Sequence, residues 1–452
     1  MTRTPARRRR AAAGLVGLAL AATACGTGGD TGTTAAPDPD ASVPPGCEEF
    51  ADYQGSSGTS VSMYTSIRDI EADRYVESFK KFEECTGITI NYEGSGEFEA
   101  QLNVQVQGGN APDLAFIPQP GLLQRFAASG DALPAPEGVV ANVDEYWSEA
   151  WKGYGSVDGT LFAAPMGANV KSYVWYSPTA FAEAGYEIPQ TFDELIELSD
   201  TIAATGAKPW CAGIESGDAT GWVGTDWTED LVLRDAGVEV YDQWIAHEIP
   251  FNDPAIVSAV DKVGSILKNE AYVNAGYGDV RSIVTTSFQD GGLPILTGDC
   301  FMHRQASFYA NQWPDGTDVS EDGPVFAFYF PGDGTEKPVL GGGEFVTAFS
   351  DRPEVQTVQT YLSSAEYANT KAEIGDWISA NTGLDLANVA NPIDKLSVET
   401  LQDPDSVFRF DASDLMPAAV GAGSFWQGMT EWINGSSTED ILLNIENSWP
   451  TS

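Results

Sequence analysis

The sequence predicts an α/β protein divided into two domains or lobes. Its 452 residues are more than one hydrophobic core usually supports. Short apolar runs alternate with amphipathic helical patterns in two stretches of the chain, one before and one after Val170. The order strand–helix–strand–helix–strand in the first stretch favours a lobe with a largely parallel sheet.

The first α/β unit is predicted from patterns that begin at Val61. Apolar residues recur at helical spacing in the helices and at every second position in the second strand, and glycines follow the helices. These patterns place strands at 61–64, 88–92 and 114–117, and helices over 75–82 and 98–106.

A second α/β unit follows, beginning with the strand-like run Val174–Tyr176. Thr191–Glu194 is a capping box, in which a hydroxyl and a carboxylate satisfy the first amides of a helix. Asp253-Pro254 has the composition of another helix start, with proline in the first turn. Two later helices are predicted after Asp351 and at Ser436–Glu439.

The first 25 residues have the pattern of an export signal. Arg3 and Arg7 to Arg10 precede an apolar run, Ala11 to Ala24, that is too short to span a bilayer comfortably and ends in small residues. The run leads into Ala22-Thr23-Ala24-Cys25, which is similar to a bacterial lipobox, with Ala22 where a branched residue is usual. We predict a signal peptide at 1–24 and a lipid on Cys25.

The segment 25–46 is rich in Gly, Thr, Ala, Pro and Asp and has no apolar periodicity, which predicts a flexible tether. The expected location is the extracellular face of the bacterial cytoplasmic membrane, with the protein held by its lipid. Four cysteines remain after Cys25, at 47, 85, 211 and 300. In an exported protein they suggest two disulfides, for which three pairings exist.

Charge and motif content exclude several classes of protein. With 66 acidic against 23 basic residues the net charge is −43, which repels nucleic acid and anionic lipid surfaces. His247 and His303 lack metal-ligand spacing, so neither a metal site nor a cofactor is expected. No serine-hydrolase elbow accompanies a plausible histidine, and no acidic pair stands out. We expect no catalytic residue; an exported glycosidase and a peptide-binding or other solute-binding protein are the alternatives.

Six short segments occur in an order that resembles one family. They are Phe82–Ile88, Gly108–Leu114, Trp175–Ser177, Pro189–Leu195, Asp414–Pro417 and Ser424–Trp426. Together they resemble the extracellular solute-binding proteins of carbohydrate ABC importers, the maltose and α-glucoside group in particular. The resemblance extends from about residue 60 to the C-terminus.

The resemblance implies a two-lobed periplasmic-binding-protein-like fold with a ligand cleft between the lobes. Three hinge crossings are expected near 169–171, 302–305 and 350, so that lobe 1 comprises 47–169 and 303–349, and lobe 2 comprises 170–302 and 350–452. We favour the disulfides Cys47–Cys85 and Cys211–Cys300 because each then stays within one lobe. The implied function is that of a monomer that captures a sugar, an oligosaccharide or α-glucoside, and delivers it to the permease subunits of an ABC importer.

Sugars bind through aromatic rings against their C–H faces and through planar polar groups at their hydroxyls. Trp222 and Trp227, with Asp226 between them, lack the spacing of a helical core stripe and are the first candidates, with packing in the core as the alternative. Trp426 is the next candidate by its resemblance to a family stacking residue. Core packing is nearly as well supported for it.

The remaining candidates lie where strands end or where crossings are expected. They are Tyr64, Ser66, Gln119, Asn169, Lys171, Arg304, Gln305, Gly343, Glu344 and Asp414. Asp414 has helix capping as its alternative role. The glycine run 341–343 lacks the Lys-Ser/Thr of a phosphate-binding loop, so a phosphate site there is weakly supported.

Overall fold

The computed structural model describes residues 43–450 except 275, 277, 333–336, 390 and 404. The predicted signal peptide, the lipidation of Cys25 and the tether up to residue 42 lie outside the described residues. Two sheets flanked by helices form the centres of two lobes in this part of the chain. None of its helices combines the length and the hydropathy needed to cross a membrane.

Thirteen strands are found in the described residues. They are β1 (Ser60–Thr65), β2 (Thr89–Gly94), β3 (Leu114–Ile117), β4 (Ser156–Val157), β5 (Thr160–Leu161), β6 (Ala163–Val170), β7 (Tyr173–Tyr176), β8 (Trp210–Cys211), β9 (Val273–Asn274), β10 (Met302–Arg304), β11 (Phe326–Tyr329), β12 (Lys337–Ala348) and β13 (Ser406–Phe410). The first sheet has the order β13-β12-β3-β1-β2, with β6 also paired to β12. The second has the order β11-β7-β10-β8-β9, and β4 pairs with β5.

Seventeen α-helices accompany the strands in the described residues. They are α1 (Asp69–Thr86), α2 (Phe98–Gln107), α3 (Pro120–Ser129), α4 (Glu137–Tyr146), α5 (Glu149–Tyr154), α6 (Pro178–Ala184), α7 (Phe192–Ala204), α8 (Trp222–Asp235), α9 (Val238–Ile245), α10 (Pro254–Leu267), α11 (Phe288–Gly291), α12 (Pro353–Leu362), α13 (Ala365–Ile374), α14 (Pro392–Gln402), α15 (Ala412–Leu415), α16 (Trp426–Ile433) and α17 (Thr438–Ser448).

The predicted α/β unit at the start of the body is confirmed. Helix α1 buries Tyr75, Phe79 and Phe82 on one face and ends at Gly87. Gly87 adopts φ 72°, and its N–H donates to the Glu83 carbonyl, as expected of a left-handed helix end. Strand β3 is buried along its whole length because it pairs with β1 on one side and β12 on the other.

The chain passes between the two sheets at positions that partly differ from those expected. The first crossing is the connection from Val170 in β6 to Tyr173 in β7, as expected. The second lies between Tyr329 and Lys337, not near 302–305, because β10 and β11 both pair with β7 in the second sheet. The third follows Phe410, not Ser350, because β13 pairs with β12 in the first sheet.

The predicted lobe boundaries are corrected accordingly. Residues 302–304 and 326–329 belong to the second sheet, and 406–410 belong to the first. Helices α12 and α13 pack against β12, β1 and α1 of the first lobe, whereas α16 and α17 pack against α8 and α10. The chain therefore still crosses three times, with its second and third crossings later than predicted.

Both predicted disulfides, Cys47–Cys85 and Cys211–Cys300, are confirmed. The first bond ties the short 3₁₀ helix Glu48–Tyr53, which follows Cys47, to the last turn of α1. The second joins strand β8 to the residues just before β10, two neighbours in the second sheet. Each bond therefore stays within one lobe.

Candidate functional site

A cavity opens where strands of the first sheet end beside helices of the second lobe. Its empty volume is ≈ 990 Å³, including open solvent at its mouth. Ser66 follows β1, Ser95 follows β2 and Gln119 follows β3 in its wall. These residues converge because the parallel strands β1, β2 and β3 end at the same edge of the sheet. Trp222 at the start of α8 and Trp426 at the start of α16 extend the wall.

Aromatic rings form one part of this wall. The ring centroid of Trp222 lies 5.2 Å from that of Phe288 and 6.0 Å from that of Phe308. Gly221 places Trp222, since it has φ 115° and a Cβ there would lie 2.1 Å from the carbonyl oxygen of Trp426. Only glycine allows this approach, so α8 starts directly against α16 and both indoles reach the cavity.

Buried amide groups supply hydrogen-bonding capacity in the wall. The Gln119 Nε2 donates to Glu99 Oε1 at 3.0 Å. Among the described residues, the oxygens Gln119 Oε1 and Asn169 Oδ1 are buried without a hydrogen-bond partner. An unpaired buried acceptor is costly, so both oxygens are suited to hydroxyl donors of a ligand.

Carboxyl groups stand at two further places in the cavity. Burial, followed by repulsion from Glu344, raises the pKa of Glu71 to about 8. Burial raises the pKa of Glu344 to about 7, against the attraction of Lys371 and Lys171. Near neutral pH these carboxyl groups can therefore donate as well as accept a hydrogen bond.

A buried ion cluster extends from the wall into the protein interior, with Lys171 and Asp411 in the wall and Asp226 behind it. The Lys171 Nζ is 2.6 Å from Asp411 Oδ2 and 3.0 Å from Asp226 Oδ1. Burial opposes ionisation of Asp411, but the charge of Lys171 and several hydrogen bonds outweigh it and hold the pKa of Asp411 below its usual value. The Lys171 ammonium also lies 5.5 Å from the Trp222 ring centroid, which connects the cluster to the aromatic wall.

Asp226, Glu229 and Asp411 are close enough to one another to hold a cation. Each carboxylate already has a partner: Lys171 pairs with both aspartates, and Glu229 accepts hydrogen bonds from the backbone N–H groups of Ala412 and Ser413. The Lys171 ammonium therefore supplies positive charge where a metal ion would sit.

The glycine run 341–343 allows close contact of strands. A Cβ at Gly343 would lie 2.4 Å from the Gly167 carbonyl oxygen and 2.8 Å from the Trp151 ring. A Cβ at Gly341 would lie 2.6 Å from the Asn169 carbonyl oxygen. The run thus lets β12 lie against β6 while Glu344 reaches the cavity.

Nine of the fourteen predicted ligand-binding residues lie in the cavity wall. They are Ser66, Gln119, Asn169, Lys171, Trp222, Gly343, Glu344, Asp414 and Trp426. Their contact with a ligand stays a prediction. The other five predicted residues lie outside the wall.

Trp227 and Tyr64 are core residues, which corrects two of the predictions. Trp227 lies on the first turns of α8, where its ring centroid is 5.2 Å from Trp210 and 5.6 Å from Phe330. Tyr64 is buried against Phe98, with 5.4 Å between ring centroids. Both rings fill space between a helix and a sheet.

Asp226, Arg304 and Gln305 also lie behind the wall rather than in it. Arg304 donates to Asp230 at 2.9 Å and lies 3.6 Å from Asp226. This guanidinium is therefore part of the buried ion cluster. The side-chain oxygen of Gln305 accepts from the backbone N–H of Ala306. All three side chains are fully buried in the protein.

Several lining residues were not predicted. Those with ionisable or aromatic side chains are Arg68, Glu71, Glu99, Phe288, Phe308 and Asp411. The rule that picked Ser66 and Gln119, proximity to the end of a strand, also applies to Arg68 and Asp411. No local signal marks Phe288 or Phe308, which reach the cavity from short helical turns of the second lobe.

Residues 69–368 match the model of the bacterial extracellular solute-binding protein family. The chain belongs to this family. The solute-binding protein is 40% identical over 385 residues to the osmoprotective compounds-binding protein GgtB of Synechocystis sp., covering 84% of this chain and 90% of GgtB. It is 35% identical over 415 residues to the alpha-glucosides-binding periplasmic protein AglE of Rhizobium meliloti, covering 89% of each.

A solved structure confirms the two-lobed fold of this solute-binding protein. The bacterial solute receptor AcbH superposes with a TM-score of 0.71 at 18% identity, covering 87% of this chain and 97% of AcbH. At this identity the likeness concerns the fold alone. GgtB and AglE are named as binding proteins and not as enzymes.

Proposed function

We propose that this solute-binding protein captures a sugar, an α-glucoside or an oligosaccharide, outside the cytoplasmic membrane and delivers it to an ABC importer. The observation that carries the proposal is the composition of the cavity. Trp222 and Trp426 stand beside the buried, unpaired amide oxygens of Gln119 and Asn169. Indole rings suit the apolar faces of a sugar, and the oxygens suit its hydroxyl groups.

One relative, AglE, supports an α-glucoside in particular. AglE is named for binding α-glucosides and GgtB for binding osmoprotective compounds, and both align with more than four fifths of this chain. The family supports ABC permease subunits as the partners. Lipidation at Cys25, location at the outer face of the membrane and a monomeric state belong to the same proposal.

In this proposal, contacts between the sugar and both lobes favour closure of the lobes around it. Ser66 and Gln119 come from the first lobe, and Trp222 and Phe288 from the second, so a sugar in the cavity contacts both. A ligand that contacts both lobes shifts the population toward a closed form.

A thermal-shift screen tests the function. The panel contains the α-glucosides maltose, trehalose and sucrose, the β-linked cellobiose, and amino acids and peptides as controls. We expect an α-glucoside to raise Tm and to change tryptophan fluorescence. At a sugar concentration of about 100 times Kd, binding stabilises the folded protein by about 2.7 kcal/mol. Chromatography of the same samples should show the sugar intact.

Two results would contradict the proposal. If peptides or amino acids raise Tm and no sugar does, the protein is instead a binding protein for a peptide or another solute. Cleavage of a glycoside that stops when one cavity carboxylate is replaced would favour the glycosidase.

A further inference from the structure

A second groove adjoins the cavity and shares Glu99 and Trp426 with it. Its empty volume is ≈ 1400 Å³, including open solvent. The groove lies between helices α2 and α3 on one side and the segment Pro417–Ala422 on the other. Gly121 sets this geometry, because a Cβ there would lie 1.9 Å from the Met416 carbonyl oxygen. Helix α3 can therefore start directly against the backbone of this segment.

The groove has the same mixture of surfaces as the cavity. Its apolar part consists of Trp426, Leu122 and the small side chains of Ala418, Ala419 and Ala422. Its polar part consists of planar groups, namely the amides of Asn103 and Gln124, the guanidinium of Arg125 and the carboxylate of Asp218. The Asn103 Oδ1 is buried without a hydrogen-bond partner among the described residues, although its Nδ2 donates to the Glu99 carbonyl. Apolar surface next to planar hydrogen-bonding groups is the chemistry that recognises a sugar ring.

We infer that the groove holds a further glycosyl unit of the same ligand, which continues from the cavity past Trp426. The inference rests on the proposed function, because it extends a sugar already bound in the cavity. Adjacency carries it: Trp426 and Glu99 belong to both walls, so the groove begins where the cavity ends, and a sugar in the cavity needs to extend only past these two side chains to enter it. The preferred ligand is then a trisaccharide or longer.

Filling the groove tests the inference. Ala419 is exposed and lines the groove but not the cavity. Its backbone angles are helical (φ −67°, ψ −23°), so the position accepts a larger residue without backbone strain. Ala419→Trp can therefore obstruct the groove without burying the new side chain in the core. Ala128→Trp is the matched control, because Ala128 is exposed on α3 and lines neither space. Calorimetric titration of the full protein compares a disaccharide with tri- and tetrasaccharides of the same linkage.

We expect the unmodified protein and Ala128→Trp to bind the trisaccharide about tenfold more tightly than the disaccharide. Ala419→Trp should remove this preference and leave the disaccharide Kd within about twofold. Equal affinities for all lengths in the unmodified protein, or an intact length preference in Ala419→Trp, would overturn the inference while leaving the proposed function in place. Absence of binding to every sugar would instead refute the proposed function, and the inference with it.

Discussion

Lys171 and Asp411 form a buried ion pair between the two sheets, with 2.6 Å between Nζ and Oδ2. Lys171 lies in the connection from β6 to β7, and Asp411 directly follows β13. The same ammonium lies 3.0 Å from Asp226 of α8 and 5.5 Å from the Trp222 ring centroid. One cation thus joins a hinge crossing, the first sheet and the aromatic wall of the cavity.

Replacing this cation should destabilise the fold strongly. Lys171→Met leaves the Asp411 carboxylate buried without the ammonium that pairs with it and leaves Asp226 with only the more distant Arg304, for which we expect a loss of about 3–5 kcal/mol in the free energy of unfolding. Denaturant unfolding without sugar measures it. Lys80→Met is the control, since Lys80 pairs with Glu77 on the exposed surface of α1 and should leave stability unchanged. Equal stability of the two variants would show that the buried pair has no such role.

Two tryptophans of α8 should behave oppositely when replaced. Trp227→Ala removes a core ring and should lower the free energy of unfolding by about 3–5 kcal/mol. The sugar affinity of the protein that remains folded should change less than in Trp222→Ala. Trp222→Ala should weaken sugar binding by at least about tenfold and destabilise the fold less, because Trp222 is only partly buried and lines the cavity. Melting curves and titrations of both variants check this. Sugar affinity that is unchanged in Trp222→Ala would contradict the assignment.

Each disulfide should stabilise the protein to a similar extent. The bonds close loops with sequence separations of 38 and 89 residues, which corresponds to about 4 kcal/mol each in the chain-entropy model, slightly more for the longer loop. Paired serine variants, Cys47→Ser with Cys85→Ser and Cys211→Ser with Cys300→Ser, are compared by their Tm without sugar. A Tm that does not fall in either variant would contradict the expectation.

Stability should depend on pH through Glu71. Its folded-state pKa of about 8 lies above the ordinary carboxyl value of about 4.3, so the folded state holds the proton more tightly between these values. The stability that this proton supplies is fully present below pH 4 and is lost as the pH rises through 8. Glu71→Gln has no carboxyl proton to lose there. The Tm of this variant minus that of the unmodified protein should therefore increase between pH 5 and 8.

The control for this pH dependence is Glu84→Gln, an exposed position on α1. Its Tm difference from the unmodified protein should stay flat over the same range. A flat difference for Glu71→Gln as well would show that Glu71 titrates alike in the folded and unfolded chains.

The sequence predicted those elements whose burial is visible in local spacing. Helix α1 and strand β3 were found because each buries a regular set of apolar residues. Strand ends then located Ser66 and Gln119 in the wall, since parallel strands bring their carboxyl ends together.

Helix α8 shows why other predictions failed. Its buried residues include Asp226, Glu229 and Asp230, which local patterns assign to an exposed or irregular segment. Asp226 and Asp230 can be buried because Lys171 and Arg304, distant in sequence, supply the opposite charges, and Glu229 because it accepts from the backbone N–H groups of Ala412 and Ser413. Such pairing over long sequence separations leaves no local signal, so Trp227 was assigned to the site and not to the core.

A crystal structure of the protein with the best sugar from the screen tests the central claim most directly. We predict the sugar in the cavity, with rings against Trp222 and Trp426 and hydroxyl groups within hydrogen-bond distance of Gln119 and Asn169. A sugar bound elsewhere on the surface, with this cavity filled only by water, would contradict the account.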